Sequence, residues 1–98
     1  MKAKSLLDTK TVLADGRLIQ RRVWQLPMPT PERPHGLKYR LYCGKDGATI
    51  VRYDNERGKG DHKHIGPEER EIHYRFESLA KLLADFAEDI EALSGEIQ

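Results

Sequence analysis

The chain has 98 residues, of which 38% are hydrophobic and 34% are charged, so it is long enough for one domain with a modest core and too short for a second. Its net charge of +1 combines a basic part, residues 1–65 with 14 Lys/Arg and 7 Asp/Glu, and an acidic part, residues 66–98 with 3 and 9, which favours either an anionic partner or two solvated faces of opposite charge. A single cysteine, the lack of a membrane-length apolar run and a start unlike a signal peptide predict a cytoplasmic protein of one domain, residues 1–98, with no disulfide and no membrane partner.

The first predicted element is a β-hairpin over residues 4–26. Asp15-Gly16 stands between two apolar-rich arms, and this dipeptide suits a type I′ turn because both central residues of that turn need a positive φ. The alternation in the second arm is imperfect, so the pattern leaves open which of its side chains face the core. A linker over residues 27–36 follows; it holds four of the five prolines and predicts a stiff surface connection.

A second hairpin is predicted over residues 37–53. In LKYRLYC, apolar and polar side chains alternate as they do in a strand with one buried face. GKDG predicts the turn, and ATIVRYD predicts the return strand. An exposed strand in either hairpin offers an edge that could pair across the axis of a homodimer.

The C-terminal part predicts a polar, histidine-bearing loop over residues 54–67, a short strand over residues 71–76 and a helix over residues 78–93. The helix is indicated by apolar residues at helical spacing, by Ser78 as the N-cap and by Gly95 as the stop. The predicted fold class is therefore α+β: a small, mainly antiparallel β-sheet of 4–5 strands in two hairpins, with one C-terminal helix packed on one face.

The polar segment YDNERGKGDHKHIG, residues 53–66, carries the candidate functional residues. If its second half is extended, the side chains of His62 and His64 lie on one face of the strand. The imidazoles titrate near neutral pH, and the neighbouring cations can contact phosphate. The candidate catalytic residues are His62, His64 and Lys59, and the candidate substrate-binding residues are Tyr53, Asp54, Asn55, Arg57 and Lys63.

Three functions fit these residue types. The first is metal-independent cleavage of RNA, in which one imidazole removes the proton of the ribose 2′-hydroxyl, another group protonates the leaving oxygen and a cation stabilises the phosphate. The second is a metal-dependent nuclease with a His-x-His site. Zinc takes three or four protein ligands, so Asp54, Asp61 or His73 would have to complete that site, and the nearby cations would oppose a metal. The third is a module that binds nucleic acid or protein without catalysis.

A simpler explanation is a solvated connecting loop whose histidines have no function, since a His-x-His pair is weak evidence on its own. Among these alternatives the chemistry favours the metal-independent ribonuclease. We therefore expect RNA as a partner, no cofactor and no metal ligands.

A longer pattern extends from residue 52 to residue 90. It consists of Tyr53-Asp54-Asn55, Gly58-Lys59-Gly60-Asp61-His62, His64, Tyr74, Phe76, Asp85-Phe86 and Asp89-Ile90. This pattern resembles the TumE-like toxins of bacterial type II toxin–antitoxin modules. The resemblance implies a toxin made beside a cognate antitoxin that carries a helix-turn-helix DNA-binding domain. It implies no catalytic mechanism, so the ribonuclease hypothesis depends on the chemistry of the residues and on analogy with other small toxins.

Overall fold

The computed structural model describes residues 2–55 and 60–94. The elements found there are β1 Lys4–Val12, β2 Leu18–Gln25, β3 Leu37–Lys45, β4 Ala48–Asp54, β5 His62–Ile65, β6 Arg70–His73 and α1 Leu79–Ser94. The strands form one antiparallel sheet in the order β1-β2-β3-β4-β5-β6, so each strand pairs with its neighbours in the chain. The predicted α+β class, antiparallel sheet and C-terminal helix are confirmed.

The predicted number of strands is wrong, because the described residues form six strands rather than 4–5. The additional strand is β5, which lies within the segment predicted as a loop over residues 54–67. Its backbone pairs on both sides: His62 lies opposite Asp54 of β4 and opposite His73 of β6. The sequence pattern did not predict β5, because its first three residues are polar and the strand therefore has no alternation of apolar and polar side chains.

The two hairpin turns differ from each other in a way that the sequence did not predict. The I′ signature, a positive φ at both central residues, occurs at Asp46 (53°) and Gly47 (79°), between β3 and β4. In the first hairpin, Val12 pairs with Leu18, which leaves five residues in the loop. There only Gly16 has a positive φ, so the type I′ turn predicted at Asp15-Gly16 is wrong.

The core lies between the sheet and α1, which packs against β4. The Ser78 hydroxyl accepts a hydrogen bond from the Lys81 backbone N–H at 3.0 Å, as expected of an N-cap. Leu82, Phe86 and Ile90 are the buried side chains of the helix, and burial of each such group stabilises the fold by roughly 1.5–3 kcal/mol. None of the described residues belong to a helix that is long and apolar enough to cross a membrane.

The sheet has two unlike faces. Residues directly opposite each other in neighbouring strands project to the same side, so the pairing assigns each paired side chain to one of the two faces. Val23, Leu41 and Tyr53 face α1. The other side, which we call the open face, has no described helix over it. The open face includes Asp8, Lys10, Arg22, Trp24, Lys38, Arg40, Tyr42, Arg52, Asp54, His62, His64, Glu71 and His73.

Candidate functional site

Strand β5 places the side chains of His62 and His64 next to each other on the open face. Their ring centroids are 4.9 Å apart, and the ring planes are nearly perpendicular at 75°. His62 is only 6% exposed, and the His64 side chain is 12% exposed. The two imidazoles therefore form a compact, largely dehydrated pair.

The surroundings of His62 are oxygen atoms that only accept hydrogen bonds. Its Nε2 lies 2.9 Å from Asp54 Oδ1, and its Nδ1 lies 3.1 Å from the Gly60 carbonyl oxygen. When the ring carries two protons, Nδ1 donates a hydrogen bond to that carbonyl oxygen and Nε2 forms an ion pair with the Asp54 carboxylate. In that form His62 has a proton that it can transfer to a substrate.

His64 has surroundings unlike those of His62, and only one of its ring nitrogens has a hydrogen-bond partner. Its Nδ1 lies 3.2 Å from the Glu69 carbonyl oxygen, to which it can only donate. That donation leaves a lone pair on Nε2, which is buried and has no hydrogen-bond partner. A Glu71 carboxylate oxygen lies 3.7 Å from this atom and 3.9 Å from His62 Nε2. His64 Nε2 is therefore placed to accept a proton.

A network of polar side chains holds this pair in position. Arg52 Nε lies 2.9 Å from Asp54 Oδ2, an ion pair in which the N–H is not aimed for a hydrogen bond. The same guanidinium contacts the Glu69 carboxylate at 3.1 Å, and that carboxylate also accepts a hydrogen bond of 2.8 Å from the Thr49 hydroxyl. Glu69 has a φ of 51°, which is costly for a residue with a Cβ. These side-chain contacts help to hold Glu69 there, with its carbonyl oxygen at His64.

The same side chains are suited to holding a metal ion. One ligand atom from each of Asp54, His62 and His64 lies within 4.8 Å of the others, and three protein ligands are the number typical of catalytic zinc. Of the three residues considered as further ligands, the structure brings Asp54 to the pair. Asp61 instead accepts a hydrogen bond of 2.7 Å from the Tyr39 hydroxyl. His73 lies opposite His62 on β6, but its side chain is exposed and its ligand atoms are not part of the cluster.

The remaining candidate residues are separated from the histidine pair. Tyr53 and Lys63 lie on the helix-facing side of the sheet, where both contact the Asp89 carboxylate, Lys63 at 3.0 Å. Asn55 is 1% exposed, and its amide links β3 to the end of β4 by hydrogen bonds with the Tyr39 N–H and the Leu37 carbonyl. The predicted roles of Lys59 and Arg57 fall on residues outside those described.

A polar cleft of about 370 Å³ lies between the sheet and α1. Burial, together with a hydrogen bond to Asp89, raises the pKa of the Tyr53 phenol. Burial likewise raises the pKa of Tyr74, whose hydroxyl donates to Asp85, and that hydrogen bond lowers the pKa of the Asp85 carboxyl. Hydrogen bonds within the protein occupy these groups, so they stabilise the position of the helix on the sheet.

Comparison with known proteins gives the family. The family model of the toxin TumE matches residues 2–94. The chain belongs to the TumE toxin family. The resemblance seen in residues 52–90 is thereby confirmed, and it extends over the first hairpin. No curated protein and no solved structure matches the chain. Membership of a toxin family implies an antitoxin partner for this TumE protein.

The open face of this TumE protein carries aromatic rings with cationic side chains beside them, an arrangement that was not predicted from the sequence. The Arg22 guanidinium and the Lys38 ammonium lie 5.0 and 5.3 Å from the Trp24 ring centroid, and the Arg40 guanidinium lies 6.0 Å from the centroid of Tyr42. The sequence signal for it is that these side chains occupy the polar positions of the alternation in the adjacent strands β2 and β3. It was overlooked because aromatic residues in a strand are more often packing residues.

Proposed function

We propose that this TumE toxin is a ribonuclease that needs no metal ion, with His64 as the general base and His62 as the general acid. The observation that carries the proposal is the contrast between two adjacent imidazoles. His64 has an unpartnered lone pair on Nε2, whereas both nitrogens of His62 face oxygen acceptors. A pair of titratable groups in such unlike surroundings is typical of acid–base catalysis.

The reaction that fits this pair uses a nucleophile from the substrate. His64 Nε2 takes the proton of a ribose 2′-hydroxyl, and the 2′-oxygen forms a bond to the adjacent phosphorus. The bond from phosphorus to the 5′-oxygen breaks, and His62 transfers its Nε2 proton to that oxygen. The products are a 2′,3′-cyclic phosphate and a 5′-hydroxyl. His64 ends protonated and His62 ends neutral, so the charges balance and the exchange of protons with water restores the enzyme.

Entry of a phosphate requires a movement of Glu71. Its carboxylate lies over the Nε2 atoms of both histidines and would repel an anion. The Glu71 side chain is 47% exposed, and the proposal requires its carboxylate to turn toward the solvent. Charge on the transition state would then meet Arg52 from β4 and, as the sequence predicts, Arg57 and Lys59 from the segment between β4 and β5.

A metal-dependent nuclease is the second candidate. The clustering of Asp54, His62 and His64 ligand atoms within 4.8 Å favours it. In that case the three side chains would hold a divalent ion, which would activate a water molecule or polarise the phosphate. The contact between Asp54 and His62 would have to open to admit the ion.

Labelled single-stranded RNA and purified protein distinguish the candidates. Cleavage that persists in EDTA supports acid–base catalysis by the histidine pair. Cleavage that EDTA abolishes and a divalent ion restores supports the metal site, and binding without cleavage in either condition supports a non-catalytic module. Arg70→Ala is the control, because Arg70 lies on the neighbouring strand β6 but on the helix-facing side of the sheet, opposite to the histidine pair.

Growth of the host tests the same proposal in cells. Expression of the wild-type chain should arrest growth, and His62→Ala or His64→Ala should relieve the arrest while the protein stays folded. Equal toxicity of both folded variants would refute the catalytic role. We further propose a cognate antitoxin with a helix-turn-helix domain, action on RNA in the cytoplasm, and pairing through an edge strand as the route to any homodimer.

A further inference from the structure

The open face has the layout of a surface that binds an extended polyanion. Its paired residues include five cations, Lys10, Arg22, Lys38, Arg40 and Arg52, against the carboxylates of Asp8, Asp54 and Glu71. Asp8 lies 3.7 Å from Arg22, and the Glu69 carboxylate reaches Arg52 from a turn. Helix α1, on the opposite side of the sheet, has four acidic residues and one lysine. Within β1, β2 and β3 the paired residues of the open face carry Lys10, Arg22, Lys38 and Arg40 against the carboxylate of Asp8, so the positive charge of this face is concentrated on these three strands.

Two aromatic rings lie among these cations. Trp24 lies directly opposite Lys38, and Tyr42 lies directly opposite Arg52. From Tyr42 the row continues through Arg52 to His64, since these residues pair across β3, β4 and β5. Two strand spacings separate Tyr42 from His64, about 10 Å. Tyr42 is therefore near enough to hold a nucleotide next to the one whose phosphate reaches the histidines.

A glycine allows the Tyr42 ring to lie flat on the sheet. A Cβ added at Gly44 would lie 2.1 Å from the Tyr42 hydroxyl and 2.6 Å from its Cζ, so the ring occupies the space above the Gly44 backbone. A ring that covers backbone with one side presents its other side away from the sheet. Such a flat ring is suited to stacking with a base.

We propose that the open face is a stacking platform for single-stranded RNA, with bases on Trp24 and Tyr42 and phosphates at Arg22, Lys38 and Arg40. The proposal rests on the proposed function in taking RNA as the ligand, and it adds the form of the RNA and the residues that hold it. Bases stack on side-chain rings only when they are not paired within a duplex. The platform therefore selects single strands and leads them to His62 and His64.

Trp24 is the only tryptophan in the chain, so its fluorescence reports on this surface directly. The full chain with His64→Ala, which should not cleave, is titrated with a ten-nucleotide single-stranded RNA. The same titration is done with a duplex of the same sequence and with inorganic polyphosphate. Single-stranded RNA should quench the fluorescence saturably, whereas the duplex and polyphosphate should have little effect at equal phosphate concentration.

Variants separate stacking from charge, and binding of dye-labelled RNA measures both. Tyr42→Ala should weaken binding by roughly 5- to 100-fold, whereas Trp24→Phe should retain most of the affinity because a ring remains. Arg40→Ala should weaken binding and make it less dependent on salt. The matched controls are Arg70→Ala and Met28→Ala: Arg70 pairs with Ile65 on the helix-facing side, and Met28 is an exposed apolar residue away from the sheet.

Three results would overturn the platform. One is quenching by polyphosphate as strong as that by single-stranded RNA, together with RNA binding by Tyr42→Ala as tight as that of the protein without this substitution. Another is preference for the duplex. The third is no response to RNA while a purified antitoxin quenches Trp24, which would assign the face to a protein. Stacking without any cleavage by the wild-type chain would leave the platform intact and refute the proposed catalysis. Cleavage by the wild type, together with unchanged RNA binding by Tyr42→Ala, would support the proposed catalysis and refute the platform.

Discussion

Asp54→Asn tests whether the buried carboxylate organises the histidine pair. Asp54 is 8% exposed and lies 2.9 Å from both His62 Nε2 and Arg52 Nε. The amide keeps the shape but loses the charge, and its NH₂ group would face an N–H donor. Breaking a buried ion pair by removing one partner costs about 3–5 kcal/mol. Because Arg52 keeps its contact with the Glu69 carboxylate in the variant, we expect the lower end of that range, about 3 kcal/mol.

This loss is measurable by urea and thermal unfolding at pH 7. For a domain of this size, 3 kcal/mol corresponds to a fall in Tm of roughly 12–24 °C. Asp46→Asn is the matched control: Asp46 is exposed at a turn with a φ of 53°, a conformation that Asn tolerates, so its unfolding should be unchanged. Equal stability of Asp54→Asn and the wild type would show that the carboxylate is not paired with His62 and Arg52 as described.

Three further predictions concern the fold around the site. Because the pKa of the Tyr53 phenol is raised in the folded protein, its hydrogen bond to Asp89 stabilises the protein below the unfolded-state pKa of about 10, and this stabilisation is lost as the pH rises further. The free energy of unfolding, measured in urea at pH 8 and at pH 11, should therefore fall less between the two pH values for Tyr53→Phe than for the wild type. Phe86→Ala should cost about 3–5 kcal/mol because Phe86 is fully buried, whereas Met28→Ala should cost almost nothing. Gly44→Ala should cost about 1–3 kcal/mol, and the cost should shrink in a Tyr42→Ala background if the ring is the main obstacle.

Elements with an apolar period could be predicted from the sequence. The alternation of β3 and the helical spacing of α1 follow from burial on one face only, and the structure places both near the predicted positions. Strand β5 could not be predicted in this way, because a polar strand is specified by the backbone pairing of its two neighbours. Pairing of that kind depends on the whole sheet and leaves no local pattern in the sequence.

The candidate site was predicted in part. Period-two geometry places His62 and His64 together, as the sequence analysis expected for an extended segment. The same geometry separates Tyr53 from Asp54, because adjacent residues of a strand face opposite sides. A set of residues chosen by closeness in the sequence is therefore divided between the two faces of the sheet. Glu69 was missed because it reaches the open face from a turn, and Trp24 was missed because an aromatic residue in a strand is more often a packing residue.

The proposed ribonuclease mechanism requires that His64 and His62 move protons without a metal ion. The direct measurement is the rate of cleavage of single-stranded RNA in EDTA by the wild-type chain and by folded His64→Ala, with analysis of the ends of the products. We predict cleavage by the wild type to 2′,3′-cyclic phosphate and 5′-hydroxyl ends, and a loss of roughly 10²–10⁴-fold in the variant. Cleavage at the wild-type rate by His64→Ala, or cleavage that appears only with a divalent ion, would contradict the claim.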